Sequence, residues 1–151
     1  MKHKTIGPFL LILIASLFFF KKVWAQGNNI PSSLIFKIML AESSFNPKAI
    51  GPAGERGLFQ LSKETWDWLT PKIYGKVLNF DLAFDPQINK KVGIYYLNWI
   101  KEQLGIHYMP ALLVASYNYG IGRIKSLGYK LPSSAYNHPN LIYRQIFRMG
   151  A

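Results

Sequence analysis

Cysteine is absent from this chain, which excludes disulfides, thiolate metal sites, a cysteine nucleophile and a lipid-modified N-terminal cysteine together. Histidine is almost as scarce. His3, His107 and His138 stand far apart, so a histidine-based metal site or catalytic triad has little material. No Walker-type or dinucleotide-type glycine motif occurs, and nothing alternates apolar and polar residues long enough to propose a sheet. Internal repeats and low-complexity linkers are missing after the first segment. Acidic residues are few, 7 against 18 lysines and arginines, for a formal charge of +11. What is present is apolar: half of the 151 residues are hydrophobic, enough for one packed domain and too many for global disorder.

The first segment sets the expected compartment. Lys2, His3 and Lys4 precede an apolar run from Ile6 to Phe20, and Val23-Trp24-Ala25 follows. This is a signal-peptide pattern with cleavage expected after Ala25. The run has 15 residues; as a helix it would reach roughly 22 Å, short of a hydrocarbon core of about 30 Å. The assignment is therefore residues 1–25 as signal peptide, with a signal anchor as the alternative because Lys21 and Lys22 interrupt the flank. Four basic residues leave with the leader, and +7 remains on residues 26–151. An exported basic protein suits an anionic polymer or surface, or simply carries a solvated basic face. Nucleic acid is not an expected partner, because Lys90-Lys91 is the sole basic pair after the leader and no nucleic-acid-binding signature appears.

The remaining pattern predicts an all-α domain. Pro31 suits a first helical turn, and Ser32 to Ser44 reads as a strongly apolar helix. Asn46-Pro47 and Gly51-Pro52-Ala53-Gly54 break the chain into a loop. A short helix is expected from Ser62, as N-cap, to Leu69, with Pro71 stopping it. Asp85-Pro86 opens the clearest helix and Gly105 closes it, with Ile88, Val92, Tyr95, Tyr96, Trp99, Ile100 and Leu104 near one face. Pro110 opens a further helix over Ala111 to Tyr117, terminated by Gly120 and Gly122, and a last one runs from about Pro139 to Met149.

One acidic residue stands apart. Glu42 ends the most hydrophobic helix, with Ile35, Ile38 and Met39 on its face. A carboxyl held there is poorly solvated, which raises its pKa as a general acid near neutral pH requires. The alternative is a structural glutamate paired with Lys48 or Arg56. The loop from Gly51 to Gly57, followed by Leu58-Phe59-Gln60-Leu61, is able to bring backbone groups and the Gln60 amide against a ligand near Glu42. Tyr117-Asn118-Tyr119-Gly120 adds phenols and an amide at a helix end, groups suited to the C–H faces and hydroxyls of sugars.

With these residues in place, the chain resembles the lytic transglycosylase family with the soluble-lytic-transglycosylase, lysozyme-like catalytic domain. Glu42-Ser43 followed by Phe45-Asn46-Pro47 is similar to the family's Glu-Ser and Phe-Asn-Pro. Gly57, Leu58, Gln60 and Leu61 match its Gly-Leu-Met-Gln-Leu stretch. Asp85-Pro86, Asn89, Gly93 and Tyr96-Leu97 resemble its Asp-Pro helix, and Tyr117-Asn118, Gly120, Gly122 and Arg123 its Tyr-Asn-Ala-Gly-x-Gly-Arg. Tyr143 with Ile146 looks like the closing tyrosine segment.

The resemblance implies a lysozyme-like fold and cleavage of the β-1,4 bond between N-acetylmuramic acid and N-acetylglucosamine without water. Glu42 would be the single acid/base, no cofactor or metal would be needed, and 1,6-anhydro ends would form. It places Ser43, Gln60, Tyr117, Asn118 and Tyr143 at substrate contacts or in support of the glutamate. A goose-lysozyme-type muramidase and a non-catalytic glycan-binding or assembly factor are the alternatives. The expected setting is a monomer acting on peptidoglycan glycan strands, in the periplasm or cell wall. The alternatives there are attachment to the inner membrane by an uncleaved leader and service to a secretion or appendage assembly. Departures from the family are Phe59 for its usual methionine, expected to reshape the glycan groove, and Ser116 and Tyr119 for common alanines. Pro139 and Asn140 stand where an acidic residue often precedes the closing tyrosine.

Overall fold

A computed structural model describes residues 29–150; the leader assigned to residues 1–25 lies outside the described residues. Among the described residues six α-helices follow one another: α1 Ser32–Ser43, α2 Lys63–Tyr74, α3 Pro86–Leu104, α4 Pro110–Tyr119, α5 Ile121–Ser126 and α6 Leu141–Met149. Single 3₁₀ turns occupy Phe80–Phe84, Gly105–His107 and Ser133–Asn137. The described residues form no strand, only isolated antiparallel bridges joining Ile50 to Arg56 and Arg56 to Leu61. Among them, no helix is long and apolar enough to cross a membrane.

Helix α4 is the hub, packed against α3, α5 and α6. It is surrounded on all sides, so its apolar residues need no stripe: Ala111 to Ser116 are all buried. Around it the core gathers Ile38, Phe59, Trp66, Leu69, Val92, Leu97, Ile100, Leu104, Ile124 and Phe147. The expected α3 boundaries hold, with the Asp85 carboxylate accepting from the Gln87 and Ile88 amides at 2.9 Å. Its buried face is rotated from the expected one. Asn89, Val92, Gly93, Leu97, Ile100 and Leu104 turn inward, whereas Tyr95 is exposed. The reason is Phe59. Its ring lies so close over Gly93 that a Cβ there would stand 2.3 Å from it, so the tight contact centres on a glycine that carries no apolar signal.

Two helix boundaries differ from expectation. Pro71 does not stop α2, which continues to Tyr74 and ends at Gly75, whose left-handed φ of 74° lets its N–H reach the Pro71 carbonyl at 2.9 Å. Proline costs α2 one hydrogen bond near its end, while the buried Thr70 hydroxyl accepts from the Leu78 amide and anchors that turn. Likewise Gly122 does not terminate a helix but lies inside α5, and Gly120 alone (φ 84°) makes the break. The final helix begins at Leu141, capped by the Asn140 side chain, which accepts from the Ile142 amide at 3.0 Å.

Candidate active site

Glu42 occupies the last turn of α1, and the chain reverses immediately beyond it. Ser44 and Phe45 both adopt left-handed backbone, φ 52° and 63°, held by the Ser44 N–H on the Leu40 carbonyl at 3.0 Å. Non-glycine residues adopt that conformation at a cost of about 1 kcal/mol each, so the turn is maintained by its surroundings. It brings the loop over residues 46–61 back across the helix end. There Glu42, Pro52, Glu55, Gln60, Tyr117 and Asn118 line an open cleft of about 330 Å³.

Identifiable contacts hold the loop in place. Asn89 bonds three backbone groups: its Oδ1 accepts from the Phe59 amide at 2.9 Å, and its Nδ2 donates to the Arg56 and Ala83 carbonyls at 3.0 and 2.8 Å. Gly57 lies against this amide, where a Cβ would sit 2.4 Å from Nδ2 and 2.2 Å from the Ala83 carbonyl. Gln60, at φ 44°, ties its own loop by donating from Nε2 to the Gly57 and Ala49 carbonyls at 2.9 and 3.2 Å.

The glutamate has no ion-pair partner among the described residues. Arg56 pairs with Asp81 at 2.6 Å and lies over the Phe80 and Phe84 rings, and Lys48 stands over Phe84. The structural alternative, Glu42 paired with Lys48 or Arg56, is therefore set aside. Burial among apolar groups lifts the Glu42 pKa from 4.5 to about 7; a hydrogen bond from Tyr143 opposes the rise and the Glu55 charge adds to it. Tyr143 donates its phenolic proton to Glu42 Oε1. Burial, and then the Glu42 charge, raise the Tyr143 phenol far above its ordinary value, so it remains a donor throughout.

The anticipated site residues divide into two groups. Gln60, Tyr117 and Asn118 line the cleft with Glu42. Ser43 and Tyr143, anticipated at the substrate or in support of the glutamate, face the protein. The Ser43 hydroxyl lies 3.1 and 3.0 Å from the Met39 and Leu58 carbonyls, bracing α1 to the loop. Tyr143 is only 2% exposed, which leaves it behind Glu42 rather than in the cleft. Tyr117 combines both roles, lining the cleft while its hydroxyl donates to the Phe59 carbonyl. Phe59 itself is fully buried, so its side chain does not line the groove.

Tertiary structure adds residues that their sequence positions do not place at the site. Glu55, remote from Glu42 in helical terms, shares its cleft, held by the Ala53 amide on Oε2 at 3.0 Å. Asn140, besides capping α6, donates from Nδ2 to the Ala41 carbonyl at 2.9 Å and so fastens α6, with its Tyr143, to the glutamate's own turn. His138 packs edge-on to Tyr143 with centroids 5.4 Å apart; burial lowers its pKa, so the ring is favoured neutral. Among the described residues, no three His, Asp or Glu side chains gather into a metal-binding group.

The Tyr143 contact makes a direct prediction. A hydrogen bond that favours the ionised carboxylate is lost in Tyr143→Phe, so the Glu42 midpoint should move upward from about 7 by on the order of one unit. Carboxyl-carbon NMR titration reads this shift; an unchanged or lower midpoint would contradict the assignment.

A mainly helical, lysozyme-like domain with a protonatable glutamic acid in an open cleft is the class that this fold and site define. The sequence pattern of the transglycosylase SLT domain matches residues 19–138, and the chain belongs to that family. It is similar to the soluble lytic murein transglycosylase of Escherichia coli (strain K12), 31% identical over 113 residues covering 70% of this chain and 16% of that protein. It is similar also to the membrane-bound lytic murein transglycosylase C of Haemophilus influenzae (strain PittGG), 31% identical over 137 residues, 83% of this chain and 37% of that one. The crystal structure of the 70 kDa soluble lytic transglycosylase from Escherichia coli superposes with a TM-score of 0.64 at 26% identity, over 85% of this chain and 23% of that chain. The chain thus spans well under half the length of these relatives.

Proposed function

We propose that this protein is a peptidoglycan lytic transglycosylase in which Glu42 serves as both acid and base. The observation that carries the reading is a half-buried glutamic acid, pushed to about 7, that lines an open cleft and is held from behind by a phenol. A group with that pKa is substantially protonated and substantially ionised at neutral pH, which suits both halves of the reaction. Protonated Glu42 donates to the glycosidic oxygen as the bond from the muramic acid anomeric carbon breaks, and the substrate's own N-acetyl group stabilises the cationic centre. Ionised Glu42 then removes the proton from the muramic acid C6 hydroxyl, whose oxygen closes on the anomeric carbon. The products are a 1,6-anhydro end and a free N-acetylglucosamine hydroxyl, and Glu42 is protonated again.

Gln60, Tyr117 and Asn118 contact the sugars in this reading, whereas Ser43, Tyr143 and Asn140 position the acid. Residues 1–25 direct export to the cell envelope, where peptidoglycan is the partner. A second reading, hydrolysis, is favoured by one feature: Glu55 brings another carboxylate to the cleft, and paired carboxylates are the usual equipment for activating water. Digestion of purified peptidoglycan followed by mass spectrometry of the muropeptides separates the two. Anhydro ends, lighter by one water than reducing ends, are expected. Reducing ends would establish the hydrolase, and no products from folded protein would overturn both.

A further inference from the structure

Beside the cleft stands an organised aromatic group to which the proposed reaction assigns no role. Trp68 on α2 packs edge-to-face against Trp99 on α3, centroids 4.7 Å apart, and against Tyr96 at 6.3 Å. Tyr96 and Trp99 lie nearly parallel at 6.0 Å, and Tyr96 meets Tyr117, a wall of the cleft, at 5.5 Å. The series therefore runs without interruption from the cleft to the surface, where Trp68 is 39% exposed.

This group differs from the aromatic core. Trp66 is fully buried and its indole N–H donates to the Leu78 carbonyl at 2.9 Å. By contrast, Trp68 is partly exposed and Tyr96 and Trp99 are half-buried. Amphipathic rings with a packed body and a wet polar head are suited to a ligand that is itself apolar on one face and hydroxylated at its rim. Lys72, in the last turn of α2, holds its ammonium 5.4 Å from the Trp68 ring centroid and adds positive charge to the same patch.

We infer that Trp68, Tyr96 and Trp99 form a sugar-stacking platform that extends the glycan site beyond the cleft. It takes N-acetylhexosamine rings of the same strand farther from the broken bond, with Lys72 beside the stem-peptide carboxylates. The inference rests on the glycan-cleaving reading above. Continuity with the cleft through Tyr117 is what commits the patch to the glycan rather than to a protein partner.

The test uses the full chain carrying Glu42→Gln, so that no turnover intervenes, titrated calorimetrically with short and long β-1,4-linked N-acetylglucosamine oligomers. Affinity should rise with length, and adding Trp68→Ala should cost about tenfold on the long oligomers and little on the short ones. Trp68→Phe, which keeps a ring in the packed position, should recover part of the loss, and tryptophan emission of the Glu42→Gln chain should respond to long oligomers more than to short ones. A folded Trp68→Ala chain with undiminished length dependence would overturn the platform and leave the cleft reading intact. No binding of any oligomer by the Glu42→Gln chain would instead strike at the glycan reading itself.

Discussion

Glu42→Gln is expected to lower turnover of peptidoglycan by about 10² to 10⁴-fold, the usual contribution of a positioned general acid, with glycan affinity retained. The amide preserves the size of the side chain and still accepts from Tyr143, but it supplies no proton to a leaving group and removes none from a hydroxyl. The same substitution should alter stability with a defined sign. Folding raises the Glu42 pKa from 4.5 to about 7, so the native state favours the protonated form. The stability tied to that proton is fully present below pH 4.5 and is lost as pH rises through 7. Gln is neutral at every pH, so the melting temperature of the variant relative to the parent should rise between pH 5 and pH 8. A parallel pair of melting curves across that range would show that Glu42 is not held as described. Activity of the parent should fall on the alkaline side as the acid is lost and on the acidic side as the base is lost.

Asn89→Ala is expected to be the most damaging substitution remote from the cleft, lowering stability by about 3 kcal/mol and the melting temperature by roughly 10 °C. Two buried backbone groups, the Phe59 amide and the Ala83 carbonyl, lose their partner, and the Arg56 carbonyl is left with the Leu61 amide alone. An unsatisfied buried polar group is costlier than an absent hydrogen bond, because water cannot replace the partner. Asn89→Asp discriminates between volume and hydrogen bonding. It is nearly isosteric and retains the acceptor for Phe59, yet it faces two carbonyl oxygens with a carboxyl group in place of a donor. Thermal melts that leave Asn89→Asp as stable as the parent would show that the amide's donors are not what secures the loop. Turnover should fall in both variants, since the Phe59 carbonyl that receives Tyr117 and the Gln60 wall of the cleft belong to the loop that Asn89 secures.

Much of this protein was legible in its residues because the signals are local. Helix α3 is bounded by Asp85-Pro86 and Gly105, whose capping chemistry requires no distant partner. The apolar character of α1 singled out Glu42 as a poorly solvated carboxyl, and desolvation is indeed the largest cause of its raised pKa. Pro71 and Gly122 were misleading for the complementary reason. Their intrinsic preferences are local, but α2 is held past its proline by Thr70 and Gly75, and Gly122 falls inside a helix that α4 supports. The buried face of α3 was mistaken by part of a turn because a glycine and an asparagine, not large apolar residues, form its tightest contacts.

By itself, then, the sequence determined the helical class and the principal helix ends and singled out one poorly solvated carboxyl, all consequences of a residue's own chemistry and its neighbours within a turn or two. Only the tertiary structure decided that Tyr143, 101 positions away, donates to Glu42. It likewise decided that Glu55 shares the cleft, that Asn140 fastens α6 to α1, and that Phe59 fills the core rather than the groove. Those outcomes depend on how helices remote in the chain pack around α4, and side-chain volume and hydrogen-bond geometry at such crossings leave no periodic trace in the sequence.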